Sequence, residues 1–446
     1  MNLSEATTMA AIICLAPLVL YLIGLIRDPF NPLLIISGVT FGTCVWTLSH
    51  NPGPALEYAP DYALIEYENI VSISLLFLYA GWLAWRFRNS LPKQPLMTGA
   101  QAEALYRSQY SVPHLFLAGW LLTAIAVPIW FLVGDRSHIS GYVTWLTNLR
   151  FPGAVLAIQS AILDRRLLRS AILCVIVAAI PSLLFFISYG GRADTASLLV
   201  LVCVAYLLWQ KRPPKLYVVL FGALFAIILG TLAETRSMPN SRSLMGRVTN
   251  IYRAGENLVT GKSNDYGAGY EFIVGADTVA VVDKLHNFDD GAFLWNIGVL
   301  LLPKEYFPYK DDYYTDWYTT NYLQIIRDNL AVNTPVGAAP TGFANVYVEF
   351  GWLFPLVWFL LGYWMRSLHT GAVYRARLDL QGCLVIFIIV LLFLIAQDLY
   401  ASIREVVFNL FPLYLIYQIF RYRKPKAQLE AERYGYAEKI ENNYSP

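Results

Sequence analysis

Charge is scarce in this chain: 14% of its 446 residues are Asp, Glu, Lys or Arg, against roughly a quarter in a soluble globular domain. The deficit runs along the whole length, which excludes an ordinary soluble enzyme and a nucleic-acid-binding surface. Cysteine is nearly as sparse. All five, Cys14, Cys44, Cys174, Cys203 and Cys383, fall inside apolar runs and none in a loop. That placement excludes a disulfide framework and zinc-ligand spacing. The five histidines, His50, His114, His138, His286 and His369, show no metal-ligand spacing either. No internal repeat relates the two halves. A basic leader is also missing, because the only charged side chain from Met1 to Met9 is Glu5. The first apolar run is therefore expected to stay in place as a helix.

What the sequence does have is apolar runs of membrane-crossing length, in a chain that is 57% hydrophobic. About twenty apolar residues cross a bilayer as a helix. On that measure the spans are 8–26, 31–49, 67–86, 113–133, 142–163, 169–188, 193–210, 216–234, 343–366, 382–398 and 401–420. The expected fold class is an all-α integral membrane protein with about eleven transmembrane helices. Its expected divisions are 1–234 (spans one to eight), 235–342 (a large connecting loop), 343–420 (spans nine to eleven) and 421–446 (a basic tail).

Alternate short connections are rich in base. They hold Arg27; Arg86, Arg88, Lys93 and Arg107; Arg165, Arg166 and Arg169; Lys211, Arg212 and Lys215; and Arg366, Arg375 and Arg377, with Arg421, Arg423, Lys424 and Lys426 in the tail. The stretch 50–66 between them carries Glu57, Asp61 and Glu66 but no base. Basic loops stay in the cytoplasm, so the N-terminus is expected outside and the C-terminus inside. The loop 235–342 then lies outside. Loops of that length inside a fold are usually functional. Amphipathic stretches at Leu244 to Val259 and Tyr270 to Leu285 suggest a small cap lying on the membrane surface.

Charges in or beside the bilayer are costly and mark candidate sites. Arg150 is the only clear deep charge. It could bind a ligand, form a structural ion pair, or start a helix near Pro152 while snorkelling to water. Arg192 follows Gly190-Gly191 in an outer turn, where backbone amides and a guanidinium could meet an anion; its alternative is a pair with Asp194. Arg236, Arg242, Arg247 and Arg253 open the outer loop with no acid before Glu256. The guanidinium fork binds two phosphate oxygens and stays charged, so these residues are expected to bind a phosphate or pyrophosphate; lipid headgroups are the plainer ligand.

The run 306–322 is rich in aromatic rings and acids. Tyr313, Tyr314, Trp317 and Tyr318 could stack on sugars, or form an interfacial belt. Asp311, Asp312 and Asp316 match no strong metal motif. Glu234, before Arg236, and Glu349, in the start of the ninth span, could each act as a general base or as an arginine counter-ion.

The layout, together with Gly191-Arg192 and Pro340 to Trp352 (PTGFANVYVEFGW), resembles the Wzy-type O-antigen polymerases. The resemblance implies a GT-C-like or O-antigen-ligase-like polytopic architecture with the large loop periplasmic. It implies a multi-pass protein of the bacterial inner membrane. The implied activity is metal-independent glycosyl transfer: polymerisation of undecaprenyl-pyrophosphate-linked oligosaccharide repeat units for O-antigen, capsule or exopolysaccharide. Arg192 would be catalytic in that reaction. It implies no cofactor and no nucleic acid, and as partners the lipid-linked oligosaccharide, membrane lipids, a chain-length-determining protein and a flippase. Related ligases carry a His before the span that follows the large loop. Here the stretch reads Ala339 to Asn345 without one, which favours polymerase over ligase and leaves the base to Glu349 or Glu234. A transporter of lipid-linked sugars is the alternative of another class. It would be expected to show repeated halves and more midplane charge.

Overall fold

The structure is a computed structural model that describes residues 2–23, 31–45, 48, 58–88, 109–133, 146–189, 270–300, 308–309, 322–330, 332, 340–373, 377–396 and 399–421. The described residues are all helical apart from one isolated bridge between Tyr110 and Arg421. Six segments are long and apolar enough to cross a membrane: Leu3–Leu22, Asp61–Trp85, Val112–Leu132, Arg165–Leu184, Gly342–Ala372 and Leu378–Ile395. The chain is thus an α-helical membrane protein. The expected spans 193–210 and 216–234 lie outside the described residues.

Helix α1 (Leu3–Leu22) begins where the sequence supplies a reciprocal cap. The Asn2 side chain accepts from Glu5 N (2.9 Å), and Asn2 N donates back to the Glu5 carboxylate (3.0 Å). After α2 (Pro32–Thr40) comes α3 (Asp61–Arg88), then α4 (Val112–Val133), α5 (Arg150–Leu163) and α6 (Leu168–Tyr189). Helices α4, α5 and α6 pack as a group. Their polar side chains are satisfied between helices, with Trp120 Nε1 donating to Ser170 Oγ at 3.2 Å. Outward, α4 and α6 expose Leu117, Leu121, Phe131, Ile172, Leu173 and Ile176. An apolar outer face of this extent is what a lipid solvent requires.

The second part contains α7 (Tyr270–Leu285), α8 (Ala292–Leu300), α9 (Tyr322–Leu330), α10 (Gly342–Phe350), α11 (Phe354–Val373), α12 (Leu378–Ala396), α13 (Leu399–Glu405), a π-helical turn (Val406–Leu410) and α14 (Phe411–Ile419). Helix α12 is apolar all round, and Gly382 to Leu391 are buried on every side, as a central helix must be. Helix α11 runs along α3. Their closest approach is set by two glycines: a Cβ on Gly81 would strike the Phe359 carbonyl, and one on Gly362 would strike that of Leu78. Small residues that let backbones touch are the usual means of helix association in lipid.

Two expectations change. The ninth span, read as one helix over 343–366, is folded in half. Gly351 has φ of +51°, which glycine adopts without strain. The Phe343 ring stacks on Trp358 with centroids 4.8 Å apart, and Tyr347 meets Phe354 at 5.4 Å. A straight helix would hold positions 343 and 358 roughly 22 Å apart, so α10 and α11 form an antiparallel hairpin. Helix α7, expected to lie on a surface with a polar face outward, is instead buried all round from Phe272 to Val282. It is wedged against α3, α9 and α10.

Candidate functional site

Arg150 is the first residue of α5, preceded by a 3₁₀ turn at Thr147–Leu149 and followed in the first helical turn by Pro152. It does start a helix, but its side chain turns inward and is fully buried rather than snorkelling to water. One guanidinium nitrogen donates to the Thr147 carbonyl and another to Ser182 Oγ on α6, each at 3.3 Å. The group lies 4.8 Å from the Phe151 ring centroid. Two elements and a ring therefore fix its position.

The same 3₁₀ turn places Asn148, whose Nδ2 donates to Glu405 Oε1 at 3.2 Å. Glu405 ends α13, is buried, and also accepts from Asn409 one turn later, across the π-helical turn. Arg404 Nη2 lies 3.6 Å from the Glu405 carboxylate. Arg150, Asn148, Ser182, Arg404, Glu405 and Asn409 thus form a layer of charged and amide groups drawn from three stretches of chain. Buried ionic groups of this kind in a membrane protein are costly and mark sites of function. π-helical turns concentrate at such places as well. The layer can hold an anion or a polar headgroup against fixed N–H donors.

The second cluster surrounds the hairpin. Thr341 caps α10, accepting from Ala344 N at 3.5 Å, and its hydroxyl pairs with Tyr67 at 2.6 Å. Tyr347 donates to Asp283 of α7 at 2.6 Å, and Asn345 accepts from Leu399 N at 3.1 Å. Glu349 Oε1 accepts from Leu294 N at 2.9 Å, while its main-chain oxygen takes the Gly291 amide at 2.8 Å. Glu349 therefore caps the N-terminus of α8, where a carboxylate also meets the favourable end of the helix dipole. Trp295 and Trp352, both strongly exposed, flank this turn.

Asp277, on α7, is buried, and neither of its carboxylate oxygens has a hydrogen-bond partner. Burial pushes its carboxyl up to about 8. At the opposite end of the sequence's range, Arg377 is held further up by its contact with Asp379, at 2.5 Å. Among the described residues no group of three or more His, Cys, Asp and Glu is arranged to hold a metal ion.

Of the residues singled out by sequence, Arg150 and Glu349 are described, and they sit in separate clusters. Arg192, Glu234, Arg236, Arg242, Arg247, Arg253, Tyr313, Tyr314, Trp317 and Tyr318 lie outside the described residues. The expectation that Arg150 is the only deep charge is corrected: Glu68, Asp277 and Glu405 are also buried. Arg404-Glu405 inside the apolar run 401–420 was the visible signal. The adjacent opposite charges look self-neutralising in the sequence, whereas in the fold Glu405 is shared with Asn148, far away in the chain. Comparison with known proteins finds no matching family model, no similar curated protein and no similar solved structure.

Proposed function

We propose that this membrane protein is a glycosyltransferase that polymerises lipid-linked oligosaccharide repeat units at the periplasmic face of the bacterial inner membrane, with its N-terminus periplasmic and its C-terminus cytoplasmic. The observation that carries the proposal is Arg150. It is a fully buried guanidinium held at two fixed hydrogen bonds within a bundle of membrane-spanning length. Breaking a glycosyl–pyrophosphate bond places negative charge on the leaving group. Fixed cationic donors that meet this charge better in the transition state than in the ground state speed that step.

In this reading Arg150 and Arg404 belong to the wall that receives the undecaprenyl pyrophosphate, together with Arg192 and the arginines at 236, 242, 247 and 253. Asn148, Ser182 and Glu405 hold the wall in position. The aromatic run with Tyr313, Tyr314, Trp317 and Tyr318 receives the glycan. The acceptor is the terminal sugar of an incoming repeat unit, and a chain-length-determining protein and a flippase are its working partners.

The test is purified protein in vesicles with a synthetic undecaprenyl-pyrophosphate-linked repeat unit, read as a glycan ladder on a gel. Wild type is expected to build the ladder. Arg150→Met, Arg192→Ala and Arg236→Ala should each slow it by about a hundredfold or more, leaving single repeat units on the carrier. A wild-type protein that moves the substrate across the vesicle without lengthening it would be a transporter, and the proposal would fail.

A further inference from the structure

We propose that Asp277 is the proton acceptor for the attacking sugar hydroxyl, an assignment that rests on the glycosyl-transfer reading above. The argument begins with what the other buried acids do. Glu405 is engaged by Asn148, Asn409 and Arg404. Glu349 caps α8, and Asp379 takes two bonds from Arg377. Each of these carboxylates has a structural occupation. Asp277 has none, since both its oxygens are buried without a donor.

Leaving a carboxyl group in that state is expensive, and natural proteins rarely keep one without a use. Glu68 is the one other acid with both oxygens buried and undonated. It belongs to the transmembrane helix α3 and interacts with Cys14 on α1. Asp277 sits instead in the connection between the eighth and ninth spans, the part of the chain read as facing the substrate.

The faces of α7 point the same way. Phe272, Ile273, Ala276, Val279 and Ala280 join the main apolar core, and Val281 and Val282 join a smaller cluster with Ile326 and Val348. Asp277 belongs to neither. The helices packed against α7 bring titratable groups of their own: Glu66 and Tyr67 on α3, Arg327 and Asp328 on α9, and Tyr347 and Glu349 on α10. The contacts made by Glu66, Tyr67 and Tyr347 fall at Gly275 and Asp283. The Asp277 carboxyl is displaced by burial and by no neighbouring charge. A carboxyl that exchanges its proton close to neutral pH suits general-base work.

The step balances as follows. The acceptor hydroxyl gives its proton to a carboxylate oxygen of Asp277 while its oxygen bonds to the anomeric carbon of the donor. The bond from that carbon to the pyrophosphate oxygen breaks, and its electron pair leaves with undecaprenyl pyrophosphate. Asp277 returns the proton to water before the next cycle.

The experiment compares full-length wild type, Asp277→Asn and Asp277→Glu in vesicles with the synthetic lipid-linked repeat unit, measuring ladder formation between about pH 6 and pH 9. The wild-type rate should climb with pH and level off above about 8. Asp277→Asn should run at least about a hundredfold slower with a flat profile, while eluting as one species and melting no lower than wild type at alkaline pH. Asp277→Glu should retain turnover with a displaced profile. An Asp277→Asn protein that polymerises at the wild-type rate, or with the wild-type profile, overturns the assignment and leaves the glycosyl-transfer reading standing. If Asp277→Asn does not fold, an Asp277→Glu profile identical to wild type overturns it instead. A wild type that builds no ladder removes both the reading and the assignment.

Discussion

Replacing Glu349 tests whether this acid is a helix cap or a chemical group. Its Oε1 accepts the Leu294 amide in the first turn of α8 at 2.9 Å. Loss of an N-cap acceptor typically costs about 0.5–2 kcal/mol, and loss of a carboxylate's interaction with the helix dipole a further ~0.3–1 kcal/mol. Glu349→Ala forfeits both and should cost about 1–3 kcal/mol. Glu349→Gln keeps an oxygen that can accept the amide and should lose only the dipole share, below about 1 kcal/mol. Thermal unfolding in detergent, followed by tryptophan fluorescence, provides the assay because Trp295 and Trp352 flank the capped turn. Polymer formation should fall in step with the folded fraction in both variants. The reasoning is refuted if Glu349→Gln melts with wild type yet makes no polymer, since the carboxylate would then be needed for chemistry. Equal melting of Glu349→Ala and wild type refutes the cap.

Glu405→Ala leaves Asn148, Asn409 and Arg404 facing an emptied position and should destabilise the protein by about 3–5 kcal/mol; chemical denaturation would measure it, and a loss below 1 kcal/mol would contradict the described layer. Gly362→Ala drives a methyl into the Leu78 carbonyl of the neighbouring helix, so its melting temperature should drop, by about 1–3 kcal/mol of stability. Stability should also depend on pH through Asp277. Its folded carboxyl titrates at about 8, far above the ordinary value of about 3.9. The stabilisation from keeping it neutral is therefore complete below about pH 4 and is lost as pH rises to about 8. Melting curves of wild type should decline across that window more steeply than those of Asp277→Asn.

The helical frame was legible because apolar runs report burial or lipid contact directly. The runs at 8–26, 67–86, 113–133, 169–188 and 382–398 appear as α1, α3, α4, α6 and α12 with small shifts at the ends. The fold-back at Gly351 was not legible. Apolar composition continues unbroken through it, and the stacking of Phe343 on Trp358 is a tertiary fact. Helix α7 misled for a related reason. Its Thr278 and Asp283 look like a solvated face, yet Thr278 bonds back to the Val274 carbonyl at 2.7 Å and Asp283 takes the Tyr347 hydroxyl. Polar positions satisfied internally read like exposed ones. Arg150 was found because a lone charge in an apolar run stands out. Glu405 was passed over because Arg404 beside it masks the imbalance and because its other partner, Asn148, lies in a distant part of the chain.

The hairpin between α10 and α11 also bears on how topology reporters should be placed. A stretch that doubles back does not change sides, so the ninth crossing begins near Phe354 instead of Phe343, and the odd–even count of crossings is unaltered. A tag inserted at Gly351 should consequently report the same compartment as one inserted near Asp290. A tag after Val373 should report the other.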